Sequence, residues 1–259
     1  MISMRRTVLI LAAVLAVPSC SITEERDGCL CRLTVELSEA ADVHSGEEMR
    51  FTLWNDSGEL EKEEVFLSEG RRNMLRHIPK GTVELSAVTG LRSGIYEDSR
   101  ILVPEGQAAD SIFAYHSVID AGGETARDTI RLAKQYSAID IQMSGWIPGY
   151  GISIRGDYCG LSLEGMKPLR GKFSARAQMI SEGFFRTFVP RQGDTGLELV
   201  LDFEGKHVKV FPVGKIIGKS MDWTKTDLDD FYILIDFALA KIDITIRGWE
   251  TGSEREVSF

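Results

Sequence analysis

The stretch Ala138-Ile139-Asp140-Ile141-Gln142-Met143 sends Ile139, Ile141 and Met143 to one side of an extended chain and Asp140 and Gln142 to the other. Alternation with a period of two marks a half-buried β-strand, one face on a core and one in water. The pattern recurs in Arg32-Leu33-Thr34-Val35-Glu36-Leu37, Arg50-Phe51-Thr52-Leu53-Trp54 and Thr82-Val83-Glu84-Leu85-Ser86-Ala87-Val88. Turn-forming groups separate these runs: Asn55-Asp56-Ser57-Gly58, Ser68-Glu69-Gly70 and Pro79-Lys80-Gly81. Weaker strand candidates are residues 65–67, 72–78, 100–103, 113–118 and 126–132. After residue 134 come 152–154, 160–163, 184–189, 197–203, 206–211, 231–237 and 241–249. Helical signals are few, and Thr224 to Asp230 reads as one short turn of helix capped by Thr224 or Thr226. Short strands without alternating helices predict an all-β chain built from antiparallel sandwiches. The pattern restarts near residue 134, so two tandem domains are expected, 31–133 and 134–259. No sequence-level repeat relates them.

The N-terminus reads as an export signal. Arg5 and Arg6 precede an unbroken apolar run from Val8 to Val17, which ends in Val17-Pro18-Ser19-Cys20. That run is shorter than the ~20 apolar residues of a membrane-spanning helix. A small residue before a cysteine resembles the bacterial lipobox. Residues 1–19 are then a lipoprotein signal peptide, and Cys20 receives the lipid. Residues 20–30 read as a polar tether that holds the fold clear of the bilayer. Its acids, Glu24, Glu25 and Asp27, resemble the surface-export signal of Bacteroidota lipoproteins. The expected address is the outer membrane, lipid-anchored and facing the cell surface.

Composition narrows the function. The formal charge is −9, and residues 1–19 hold two basic residues and no acid, so the mature chain carries −11. A chain this acidic has no electrostatic route to nucleic acid. Beyond Cys20, the remaining cysteines are Cys29, Cys31 and Cys159. Cys29 and Cys31 stand too close in sequence to bond each other well. A disulfide from either to Cys159 is a candidate, and the sequence does not choose between them. No second cysteine pair or nearby histidine completes a metal site, and no cofactor motif is present.

Catalytic patterns are missing as well. His44, His77, His116 and His207 are scattered, and none belongs to an HExxH, a nucleophile elbow or a Walker loop. Residues 59–64, rich in Glu, read as a solvated or edge-protecting face. Asp227-Leu228-Asp229-Asp230 lacks the spacing of a calcium loop and reads as acids at a helix N-terminus. Arg155-Gly156-Asp157 spells the integrin tripeptide, but its flanks predict a hairpin turn. Asp110-Ser111-Ile112 and Asp128-Thr129-Ile130 resemble an O-glycosylation sequon of exported Bacteroidota proteins, with Ser111 and Thr129 as the acceptors.

Several stretches together resemble the FimB-type fimbrial anchor lipoproteins of Bacteroidota. They are Arg26-Asp27-Gly28-Cys29 before the first strand, Phe188-Val189-Pro190-Arg191-Gln192, and the end of the chain from Asp229 through Ile242-Asp243-Ile244-Thr245-Ile246-Arg247-Gly248-Trp249-Glu250. Leu30 stands where the family has proline, and Gln192 where it often has leucine. The resemblance implies two transthyretin-like sandwiches and no active site. It also implies a role in holding a fimbria to the outer membrane and limiting its length. Its partners would be pilin subunits, joined by β-strand addition, and membrane lipid through Cys20. The strands 241–249 and 32–37 are the expected points of exchange. The alternative is a surface lipoprotein that binds glycan or another ligand, for which Trp54, Trp146 and Trp223 are the aromatic candidates.

Overall fold

The computed structural model describes residues 30–68, 70, 72–97, 99–218, 221–236, 241–248 and 254–258. The expected signal peptide, Cys20, the tether before Leu30, Cys29, Trp249 and Glu250 lie outside the described residues. The regular structure of the described residues is nearly all β-strand, as the alternation predicts.

In the first half, β1 (Leu30–Glu36) lies between β4 (Asn73–Pro79) and β9 (Thr125–Thr129). Its inward residues Cys31, Leu33 and Val35 are wholly buried. A second sheet runs in the order β10 (Ala133–Lys134), β8 (Phe113–Asp120), β5 (Thr82–Thr89), β2 (Glu48–Asn55) and β3 (Gly58–Phe66). It contributes Phe51, Leu53 and Leu85 to the same core. Edge strand β3 carries the glutamates that the sequence marks as edge-protecting, and Glu61 and Glu63 clasp Arg76 of β4.

The second half repeats this plan. One sheet runs β14 (Gln178–Ser181), β15 (Phe184–Pro190), β11 (Tyr136–Ser144), β18 (Asp230–Asp236), β19 (Lys241–Arg247) and β20 (Glu254–Ser258). Facing it are β17 (Lys206–Phe211), β16 (Glu198–Phe203) and β12 (Tyr150–Ser162), with β13 (Lys167–Arg176) also on β12. Ile139, Ile141, Ile152, Leu199 and Ile233 centre its core.

Three details differ from the sequence expectation. First, the sheets are not purely antiparallel. β1 pairs parallel with β9, and β11 pairs parallel with β18. In each half the opening strand is flanked by one antiparallel and one parallel neighbour, so the halves share a topology that their sequences do not display. Second, β7 (Arg100–Leu102) and β6 (Ile95–Glu97) come from the first half but extend the second half's sheet, with Leu161 of β12 opposite Ile101. Gly160 permits this approach, since a Cβ there would lie 2.2 Å from the Ile101 carbonyl oxygen. Val88, Ile101, Ile112, Leu161 and Leu163 make a small third core between the halves. Third, residues 155–157 are no hairpin turn. They run through the interior of β12, where Gly156 pairs with Phe173 beside a register shift. A Cβ at Gly156 would come 2.6 Å from Gln192 Oε1, so the glycine serves close packing and leaves the strand unbroken.

The short helices also fall elsewhere. Among the described residues they are α1 (Ser38–Val43), α2 (Val213–Ile217) and a single 3-10 turn at Glu164–Met166, while residues 223–227 form turns and bends. The acids there are drawn away from a helical end by Lys134 and the backbone of β11, as described next.

Candidate functional site

The chain passes from β10 to β11 through Gln135 alone, and a buried polar seam surrounds that crossing. Lys134 is fully buried. Its Nζ donates to Asp230 Oδ1 at 2.5 Å and to the Leu228 carbonyl at 3.2 Å. Its backbone N–H donates to Asp227 Oδ1 at 2.7 Å, and Asp230 Oδ1 accepts the N–H of Ala138 at 2.6 Å. Burying an ammonium is costly unless it is paired and hydrogen-bonded, which these contacts achieve. Burial pushes Lys134 below its ordinary value, with the Asp230 hydrogen bond opposing.

Arg191, directly after β15, completes the seam. Its Nε donates to Gln135 Oε1 at 2.9 Å, its Nη2 to the Thr226 carbonyl at 3.1 Å, and its Nη1 to the Trp223 carbonyl. Gln135 Nε2 in turn donates to the Ala133 and Thr226 carbonyls. Burial pushes the Arg191 guanidinium down to about 10, against the pull of Asp227 and Asp222, so it stays charged near neutral pH. One planar fork therefore ties the loop 223–226 to the crossing between the halves. The sequence element Phe188 to Gln192 contains this residue, but its linear pattern carries no sign of these partners.

Above the seam lies an open groove of about 650 Å³. Tyr115 of β8, Arg131, Lys167, Arg191, Trp223 and Lys225 line it. It draws on both halves, and no aspartate or glutamate is among its lining residues.

The residues singled out from sequence are dispersed. Cys31 belongs to the first core and Cys159 flanks the second; both are free thiols, so these two are not bonded to each other. His44 is buried against Phe113 and Glu47, His116 approaches Glu84 Oε2 at 3.3 Å, and His77 is exposed. Trp54 lines a hollow with Tyr96, Trp146 packs on the second core, and Trp223 lines the groove. The three tryptophans form no common platform. Among the described residues, no group of three or more His, Cys, Asp or Glu is placed to hold a metal.

Both sequon aspartates have structural work. Asp128 accepts from Tyr115 and Ser117. Asp110 Oδ2 accepts the N–H groups of Arg92, Ser93 and Gly94 at 2.7–2.8 Å, and its Oδ1 accepts from Ser93 Oγ. Burial pushes the Asp110 carboxyl up, but these hydrogen bonds together win and hold it below the ordinary value. A depressed folded pKa means stability that is present above the unfolded value and lost as pH falls through the folded one. Asp110→Ala is expected to cost about 1–3 kcal/mol near neutral pH. That cost should shrink as the wild type is acidified through its carboxylate range. Urea midpoints of both proteins across that range provide the check, and a pH-independent gap would refute it.

Edges matter for strand addition. Neither expected exchange strand offers one: β1 is bonded on both sides, and β19 lies between β18 and β20. Among the described residues two edge strands present two large apolar side chains each to solvent, where β3, β4 and β6 present one each (Phe66, Leu75 and Ile95). The two are β17 with Val208 and Val210, and β14 with Met179 and Ile180. Neither carries a glutamate fence like that of β3.

No family model and no curated protein matches the chain. Solved structures do. A candidate adhesin of Bacteroides ovatus superposes with a TM-score of 0.62 at 9% identity, over 88% of this chain and 96% of that one. A candidate polysaccharide-binding protein of Bacteroides thetaiotaomicron gives 0.60 at 14%, over 86% and 100%. The fimbrial anchor protein Mfa2 of Porphyromonas gingivalis gives 0.56 at 11%, over 85% and 98%. The chain shares its fold with these three proteins. The shared fold runs through both halves. No helix among the described residues is long and apolar enough to cross a membrane.

Proposed function

We propose that this protein is an outer-membrane lipoprotein, attached through Cys20, that anchors a fimbria to the cell surface and limits its length. The observation that carries this reading is the likeness of fold to a fimbrial anchor protein over 85% of the chain. The polar tether after Cys20, the acidic surface and the two-sandwich plan agree with it. Pilin subunits would join by strand addition, in which an extended segment completes a sheet and its main-chain bonds supply affinity. The free edges of β14 and β17 suit that role better than β1 or β19, whose main-chain groups are already bonded on both sides.

Cys20→Ala removes the lipid while leaving both sandwiches intact. The expected result is near-complete transfer of the protein and its fimbriae from cells to medium, read by immunoblot and electron microscopy. A deletion strain should shed fimbriae or make over-long ones. Normal attachment and length in the deletion strain would defeat the anchor reading.

A further inference from the structure

We infer that the groove between the two halves binds a negatively charged saccharide. This inference does not depend on fimbrial anchoring. The chain carries 39 acidic residues against 30 basic ones, yet the groove is lined by Arg131, Lys167, Arg191 and Lys225 and by no carboxylate. Arg131 and Lys225 each have an ion-pair partner outside the lining and Arg191 is committed to three acceptors, which leaves the exposed Lys167, with Arg131 beside the same groove, to meet an anion. Several acids around the groove have partners of their own, among them Asp128 with Tyr115 and Glu84 with His116. Asp222 accepts from the N–H and hydroxyl of Thr224, and Asp227 accepts from the backbone of Lys134. Asp229 pairs with Lys225 and Glu39 with Arg131. Lys167 and Arg191 have no carboxylate within 4.0 Å among the described residues.

Shape and chemistry favour a saccharide over a peptide strand. The volume of about 650 Å³ falls within the ~300–1,000 Å³ range of small-ligand sites. Trp223 and Tyr115 supply ring surface beside the cations, suited to the apolar face of a pyranose. A peptide docking by strand addition needs free main-chain groups. β10, whose end reaches the groove, offers no such groups: it is two residues long and already committed. The Lys134 N–H goes to Asp227, and the following Gln135 N–H goes to the Ile112 carbonyl. Recognition there falls to side chains, which set a carboxylate or other acid group of the sugar against the cations.

The test uses the intact chain in detergent, run through affinity gels containing polygalacturonate, neutral dextran or polyglutamate. Polygalacturonate should retard the protein, dextran should not, and polyglutamate should act more weakly. The exposed pair Arg131→Gln/Lys167→Gln should weaken polygalacturonate binding roughly tenfold or more, with an unchanged melting curve. Lys172→Gln/Lys209→Gln, outside the groove, should bind as the wild type does. Absence of retardation by polygalacturonate, equal binding by the groove variant, or equal retardation by polyglutamate would each overturn the inference.

Discussion

Arg191→Ala is expected to destabilise the protein by about 3–5 kcal/mol, because three largely buried acceptors lose a charged donor at once. Arg191 is 4% exposed, and its guanidinium serves three acceptors at once. Removing it leaves the Trp223 and Thr226 carbonyls and Gln135 Oε1 facing a cavity, each losing a charge-assisted bond. For a chain of this size the melting temperature should fall by roughly 10 °C. Arg191→Lys should rescue little, because an ammonium cannot reproduce the planar fork that spans three separate acceptors. Calorimetry of the two variants checks both points. A loss below about 1 kcal/mol would give Arg191 the energetics of a surface ion pair and remove the seam from the account of stability.

Phe51→Ala should cost a similar amount, about 3–5 kcal/mol, by a different route. Phe51 is wholly buried on β2, with β3 and β5 on either side. Strands on both flanks hold the backbone, so the site cannot collapse to refill the lost ring. The expected signature is a lower denaturant midpoint with an unchanged slope. A changed slope would mean that the variant altered the unfolded or native ensemble rather than opening a cavity.

Much of the fold is legible residue by residue. Leu33 and Val35, Ile139 and Ile141, and Ile244 and Ile246 all face inward as alternation requires. Less of the candidate site is legible. Lys134 follows an alanine at the end of a two-residue strand, and nothing in that dipeptide distinguishes a fully buried lysine from a solvated one. The acids at 227–230 look like helix-start acids because their immediate neighbours are turn formers. Their actual partners, Lys134 and Ala138, lie more than ninety residues earlier in the chain. The stretch 155–157 misleads for the opposite reason: a glycine between charged residues looks like a turn until the close approach of Gln192 is seen.

The sequence by itself determined the all-β class, the buried face of the clearly alternating strands such as β1, β2, β5 and β11, and the lack of any catalytic pattern. It determined, too, the expectation of a lipid-bearing Cys20. These follow from local periodicity and short motifs, which need no knowledge of distant neighbours. The tertiary structure alone decided which strands lie side by side: the parallel pairs β1–β9 and β11–β18, and the joining of β7 to β12. It also gathered Lys134, Arg191 and Trp223 at one crossing and left an acid-free groove above them. The physical reason is that a period of two orients a side chain but does not name its neighbour. Pairing is settled by the whole core closing at once, with every buried charge and carbonyl finding a partner.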